Sequence, residues 1–206
     1  MQHRAFVLVV LLMVVGGCAS RHEYRHVYSL DAAVESPAAA ESTGGGPEFE
    51  LQRVLIPDYL DTTDIPQRVG AHEIRESSTG RFAERLSLGV THALRSDVAA
   101  RLPRDAITLS RSAAKPVRQI LVTVDTFDVW PNGRCVLVAD WTVLNADRKS
   151  VLSIDRGTFT TAPAGRNVTS DEEIVSAMAE AVRQLADSVA VTIKANAPSQ
   201  VPDSGL

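Results

Sequence analysis

From Gln119 to Asn145 the chain alternates twice around a turn, and this pattern restricts the fold more than any other stretch. Ile120, Val122, Val124 and Thr126 fall on one parity, and Leu121, Thr123, Asp125 and Phe127 on the other. They describe a strand whose first half is apolar on both faces. Trp130-Pro131-Asn132-Gly133 supplies turn chemistry, and Cys135, Leu137, Ala139, Trp141 and Val143 then return along one face. The pair predicts a β-hairpin. A polar break over 145–149 leads into Val151 to Thr161, a third strand, so the three form an antiparallel meander. Leu51 to Ile56, closed by Pro57, reads as a further short strand.

Such a sheet needs something apolar to cover it, and two helical patterns are available. Phe82, Leu86, Val90, Leu94 and Val98 recur every four residues between Arg81 and Leu102, with Pro103 as the stop. The second helix starts at Ser170, whose hydroxyl is placed to cap the amide of Glu173 while Glu173 reaches back. Asp171 and Glu172 put negative charge where the helix dipole is positive. Ile174, Met178, Val182, Leu185, Val189 and Ile193 then make one stripe ending at Lys194. The fold class expected is α/β: a single domain with a mixed, largely antiparallel sheet packed by two main helices. With 45% hydrophobic residues the chain can fill one core, and a net charge of -4 gives no field for nucleic acid.

The flanks read differently. Residues 31–50 are rich in Ala, Ser, Gly and acids without an apolar period, which predicts a flexible loop. Residues 195–206 carry Pro198, Pro202 and Gly205 and predict a disordered tail. At the front, His3 and Arg4 precede an apolar run from Ala5 to Val15. The run is shorter than the roughly 20 apolar residues that span a bilayer, and it ends in small residues, so residues 1–17 read as a secretory signal. Small residues alone do not account for a cysteine immediately after the cut. Val15-Gly16-Gly17-Cys18 resembles a bacterial lipobox, which implies that fatty chains such as palmitate are attached to Cys18 and that residues 18–23 are an acylated tether. Ala19 after the cysteine points, by similarity to the sorting rules of enteric bacteria, to the outer membrane. Cys135 is then left as a lone thiol, suited to the role of a small buried hydrophobe.

Catalytic and metal chemistry find little support. His22 and His26 are four apart, but no third ligand lies nearby; His72 and His92 stand alone. Asp58, Asp61 and Asp64 have the spacing of a calcium loop, yet Tyr59, Leu60 and Ile65 interleave them and the distal Glu is missing. No GxSxG, HExxH, SxxK or Walker-type loop occurs. Asn167-Val168-Thr169 is a chance sequon in a bacterial chain. We therefore expect no enzyme, no metal and no cofactor beyond the lipid on Cys18.

Ile56-Pro57-Asp58-Tyr59-Leu60-Asp61, then Ile65, Gln67 and Val69, then Arg81-Phe82-Ala83-Glu84-Arg85-Leu86, and finally Gly133 through Trp141 occur in that order behind the lipobox. Together they resemble the PqiC-type family of ABC transport auxiliary lipoproteins, over about Tyr24 to Lys194. The resemblance implies a periplasmic subunit anchored in the outer membrane, partnered by an MCE-domain protein and an inner-membrane component that carry lipid between membranes, and assembled as a homo-oligomer. It offers Pro57, Tyr59, Leu60, Asp61 and Phe82 as partner-binding residues. The same segment also reads as fold alone, with Pro57 ending a strand, Tyr59 and Leu60 in the core and Asp61 capping a turn. Phe82 stands where the family usually has Trp, and Thr62-Thr63-Asp64 lengthens the segment after Tyr-Leu-Asp. The alternative function is a scaffold for secretion, adhesion or cell-wall attachment without lipid handling. Two tethers are open as well. If Tyr24 to Leu30 is a strand, residues 19–23 span at most about 17 Å; if not, residues 19–50 form a leash of about 110 Å.

Overall fold

The computed structural model describes residues 25–31, 46–109, 117–162 and 170–196. The signal at 1–17, Cys18, the tether at 18–23, His22, Asn167-Val168-Thr169 and residues 197–206 lie outside the described residues.

Eight strands and two helices follow in the order β1 (His26–Tyr28), β2 (Glu48–Leu51), β3 (Asp64–Arg68), β4 (Ile74–Phe82), α1 (Leu86–Arg101), β5 (Ala106–Thr108), β6 (Arg118–Val129), β7 (Cys135–Leu144), β8 (Val151–Thr161) and α2 (Asp171–Ala195). The α/β class holds, but the strands divide between two sheets. One has the order β1-β4-β3 and the other β5-β2-β6-β7-β8. The meander is as expected: β6 pairs antiparallel with β7 and β7 with β8, with Val122 opposite Trp141 and Trp141 opposite Asp155. Gly133 adopts φ 75° in the β6–β7 turn, a conformation that favours glycine.

Alternation is what buries the meander. Cys135, Leu137, Ala139 and Trp141 of β7 share one apolar core with Met178, Ala181, Leu185, Val189 and Ile193 of α2, and Val143 on the same parity is also buried. Trp141 Nε1 donates to Thr192 Oγ1 at 2.9 Å, so the indole is buried with its polar end satisfied. Helix α1 packs beside α2 and adds Leu86, Val90, Leu94 and Val98.

Three boundaries differ from expectation, each for a pairing reason. Residues 48–50, expected within a loop over 31–50, form a strand, because Glu48–Leu51 pairs parallel with both β5 and β6 and Phe49 is wholly buried, while residues 32–45 of that expected loop lie outside the described residues. The strand expected over Leu51–Ile56 stops at Leu51. Beyond it the Val54 amide donates to Thr91 Oγ1 of α1, and the sheet regains only a single bridge from Leu55 to Thr123. The helix expected from Arg81 begins at Leu86, since Gly80, Arg81 and Phe82 pair with β1 and close β4. Phe82 is buried, from a strand rather than a helix.

Candidate functional site

The segment offered for partner contact divides by burial. Leu60 and Phe82 are 1% and 3% exposed and fill the core, so their side chains have no surface to present. The Trp-to-Phe departure at position 82 is thus a matter of packing. Asp61 Oδ1 accepts from the Ser87 amide at 3.0 Å, and its Oδ2 lies 3.4 Å from Arg53 and 3.8 Å from Arg85. It caps the start of α1. Burial alone would raise this carboxyl, but the Ser87 hydrogen bonds and the two arginines outweigh it and hold it below the usual value. Thr62 and Thr63, the lengthened part, contribute carbonyls to Leu86 N and Phe82 N. What remains at the surface is Pro57, partly exposed, and Tyr59, 53% exposed; Leu55, just ahead of the segment, is 63% exposed.

The calcium-like spacing does not gather a site. Asp58 is exposed, Asp61 caps α1, and Asp64 pairs with Arg25 at 2.9 Å. No group of three or more His, Cys, Asp or Glu suited to a metal occurs among the described residues. Burial pushes the Cys135 thiol up to about 12, with a smaller opposing effect from Thr161, so it packs as a hydrophobe rather than reacting. His92 Nδ1 meets Glu84 at 2.9 Å, both side chains half-buried. A cavity of about 330 Å3 opens beside Thr161, Ala162, Glu172, Glu173, Ser176 and Glu180.

Sequence reasoning passed over the fastening of the chain's front. The Arg25 guanidinium donates to Asp64 Oδ1 at 2.9 Å, Ser77 O at 2.7 Å and Gly80 O at 3.0 Å. Asp171, buried at the start of α2, accepts from Ser77 Oγ at 2.8 Å and Thr79 Oγ1 at 2.7 Å. A Cβ on Gly80 would come 2.5 Å from that carboxylate and 2.9 Å from the Tyr28 ring, so only glycine lets the three elements meet. Ser77, Thr79 and Gly80 form no motif; their clustering exists only once β4 is laid against β1 and α2. No helix among the described residues is long and apolar enough to cross a membrane.

Comparison with known proteins agrees with this architecture. The chain belongs to the family described as the ABC-type transport auxiliary lipoprotein component, whose model matches residues 28–190. This is a family of envelope lipoproteins that serve transport, not a family of enzymes. No match is found among curated proteins. A crystal structure of an uncharacterized protein superposes with a TM-score of 0.68 at 16% identity, covering 83% of this chain and 99% of the other. That of protein XCC0632 from Xanthomonas campestris, a DUF330 member, gives 0.60 at 13% identity, covering 82% and 97%. At those identities the likeness is one of fold.

Proposed function

We propose that this chain is a periplasmic subunit of an MCE/ABC-type intermembrane lipid transport system, held to the outer membrane by acyl chains on Cys18 and acting as a docking component. The observation that carries the reading is the order of two signals: Val15-Gly16-Gly17-Cys18 stands just ahead of an auxiliary lipoprotein domain over residues 28–190. Acyl chains contribute about 0.8 kcal/mol per buried methylene, and several together hold a protein to a membrane. The domain itself performs no bond chemistry in this role. It presents a rigid surface to an MCE-domain protein and an inner-membrane component, and a homo-oligomer would repeat that surface around a conduit.

Within the family segment, Pro57 and Tyr59 supply the partner contact, and Leu60, Asp61 and Phe82 hold them in place. Co-purification of the lipidated protein from membranes, with identification of bound proteins and lipids, tests the assignment. Recovery of an MCE-domain protein is expected; recovery of secretion or cell-wall proteins without it would overturn the reading in favour of a scaffold. Tyr59→Ala refines the test. The ring is exposed but its side chain hydrogen-bonds Arg68, so its loss should change stability by no more than about 1 kcal/mol, while the yield of co-purified partner falls. An undiminished yield removes Tyr59 from the interface.

A further inference from the structure

The chain leaves the domain toward Cys18 at Arg25, heading along β4 toward an end of the molecule that carries two hairpin turns. β1 runs parallel to β4 with His26 opposite Gly80, so Arg25 leads back along β4 toward Ile74. Past Ile74 is the β3–β4 turn, where Gly70, Ala71, His72 and Glu73 are all exposed. Arg68, at the end of β3, makes a 2.7 Å ion pair with Asp128, the penultimate residue of β6, which brings the β6–β7 turn alongside. Helix α2 starts here too: Thr161, at the end of β8, donates to Ala177 O, and Asp171 accepts hydrogen bonds from Ser77 and Thr79.

Chain geometry limits how far this end can stand from the anchor. With β1 paired to β4, residues 19–25 separate Cys18 from His26, a path of at most about 28 Å when fully drawn out. Running from Gly80 back to Ile74, β4 covers roughly 20 Å of the same direction, and the β3–β4 turn extends further. A tether drawn out by less than about 20 Å along this direction brings the turns to the lipid headgroups. The chemistry at the β6–β7 turn suits that position. Arg134 lies 4.8 Å over the Trp130 ring, and Pro131, Asn132 and Arg134 are exposed. An indole with an apolar body and one N–H, topped by a guanidinium, partitions to a membrane–water boundary.

We propose that the β6–β7 turn, through Trp130 and Arg134, rests in the headgroup layer of the membrane that holds Cys18, with the β3–β4 turn beside it. The inference rests on the acylated cysteine proposed above. Glu73, Glu76, Glu172 and Glu173 are exposed at this end and repel anionic headgroups. The contact is therefore permitted by the short tether and driven by indole partitioning, and it does not weaken with salt.

The test uses the lipidated full-length protein in vesicles of phosphatidylethanolamine and phosphatidylglycerol, with or without brominated acyl chains. Trp130 and Trp141 are the two tryptophans, and Trp141 is buried against Thr192, so its emission reports an intact fold. Brominated lipid should remove most of the emission that Trp130→Phe lacks, leave the Trp141 emission unchanged, and do so equally at low and high salt. Protein that floats with the vesicles but is not quenched would overturn the inference while leaving the lipid anchor standing. Protein that fails to float would remove the anchor, and this inference with it.

Discussion

The two helices solve the same problem at their first turn with different parts of the chain. An α-helix leaves its first amides without internal partners. In α2 the remedy is adjacent: Ser170 Oγ accepts from the Glu173 amide at 3.3 Å and donates to the Glu173 carboxylate at 3.0 Å. Asp171, Glu172 and Glu173 add charge in the first turn. In α1 no side chain at its own N-terminus caps it, and no acid sits in its first turn. Its remedy comes from the Pro57–Thr63 segment, through Asp61 to Ser87 N and the Thr62 carbonyl to Leu86 N. A family segment that looks like a recognition motif is, in its second half, the missing cap of a helix.

If the difference lies at the ends, the middles should behave alike. Leu94 of α1 and Leu185 of α2 are both wholly buried. Leu94→Ala and Leu185→Ala should each cost about 2–5 kcal/mol, the usual range for a truncated core leucine. Urea denaturation midpoints at constant slope measure both. A near-silent Leu94→Ala would mean that α1 is loosely packed, and that its borrowed cap reflects a weak helix rather than a different route to the same one.

The caps should separate the helices next. Ser170→Ala should cost about 1 kcal/mol, as an ordinary N-cap loss does. Asp61→Ala should cost about 2 kcal/mol, because the lost acceptor is charged and the Ser87 amide is left without its partner. The arginine contacts add little, since Arg53 and Arg85 are more than half exposed. Equal costs would erase the distinction, and a larger loss for Ser170→Ala would reverse it.

The same contrast explains what could be read from the sequence. Helix α2 and the meander declared themselves because their determinants are local: a cap three residues from its amide, a stripe of period 3.6, strands of period 2 and a Pro-Asn-Gly turn. Thr161 ends β8 where the pattern predicted it. The three-stranded sheet was illegible. Ser77, Thr79 and Gly80 in β4 serve polar contacts with Asp171 and Arg25, so that strand carries no apolar alternation to notice. Phe82 then fell in step with Leu86 and Val90 and extended α1 backwards in error. At the candidate site, the separation of Tyr59 from Leu60 and Asp61 was not available either, since it depends on which way a turn faces after Pro57. Only Tyr59's exposure and Asp61's contact with α1 divide them.

Acid provides the finest test of the borrowed cap. Asp61 is held below its ordinary value in the folded protein because the Ser87 hydrogen bonds and the two arginines overcome the opposing effect of burial. The unfolded chain therefore takes up this proton more readily than the folded one. The stability so gained is fully present above the unfolded value near pH 4, and it drains as the pH falls through the folded value. Asp61→Asn keeps an oxygen that can accept from Ser87 but carries no charge to titrate. Wild type should exceed this variant in urea midpoint at neutral pH by a margin smaller than the Asp61→Ala cost, and the margin should close on acidification. Asp97 and Asp105, which burial raises, push the other way in both proteins and cancel from the difference. A margin that stays constant down to pH 3 would show that α1 uses the Asp61 oxygen as a plain acceptor. Its start would then rest on the same chemistry as the serine at the start of α2, reached from a more distant part of the chain.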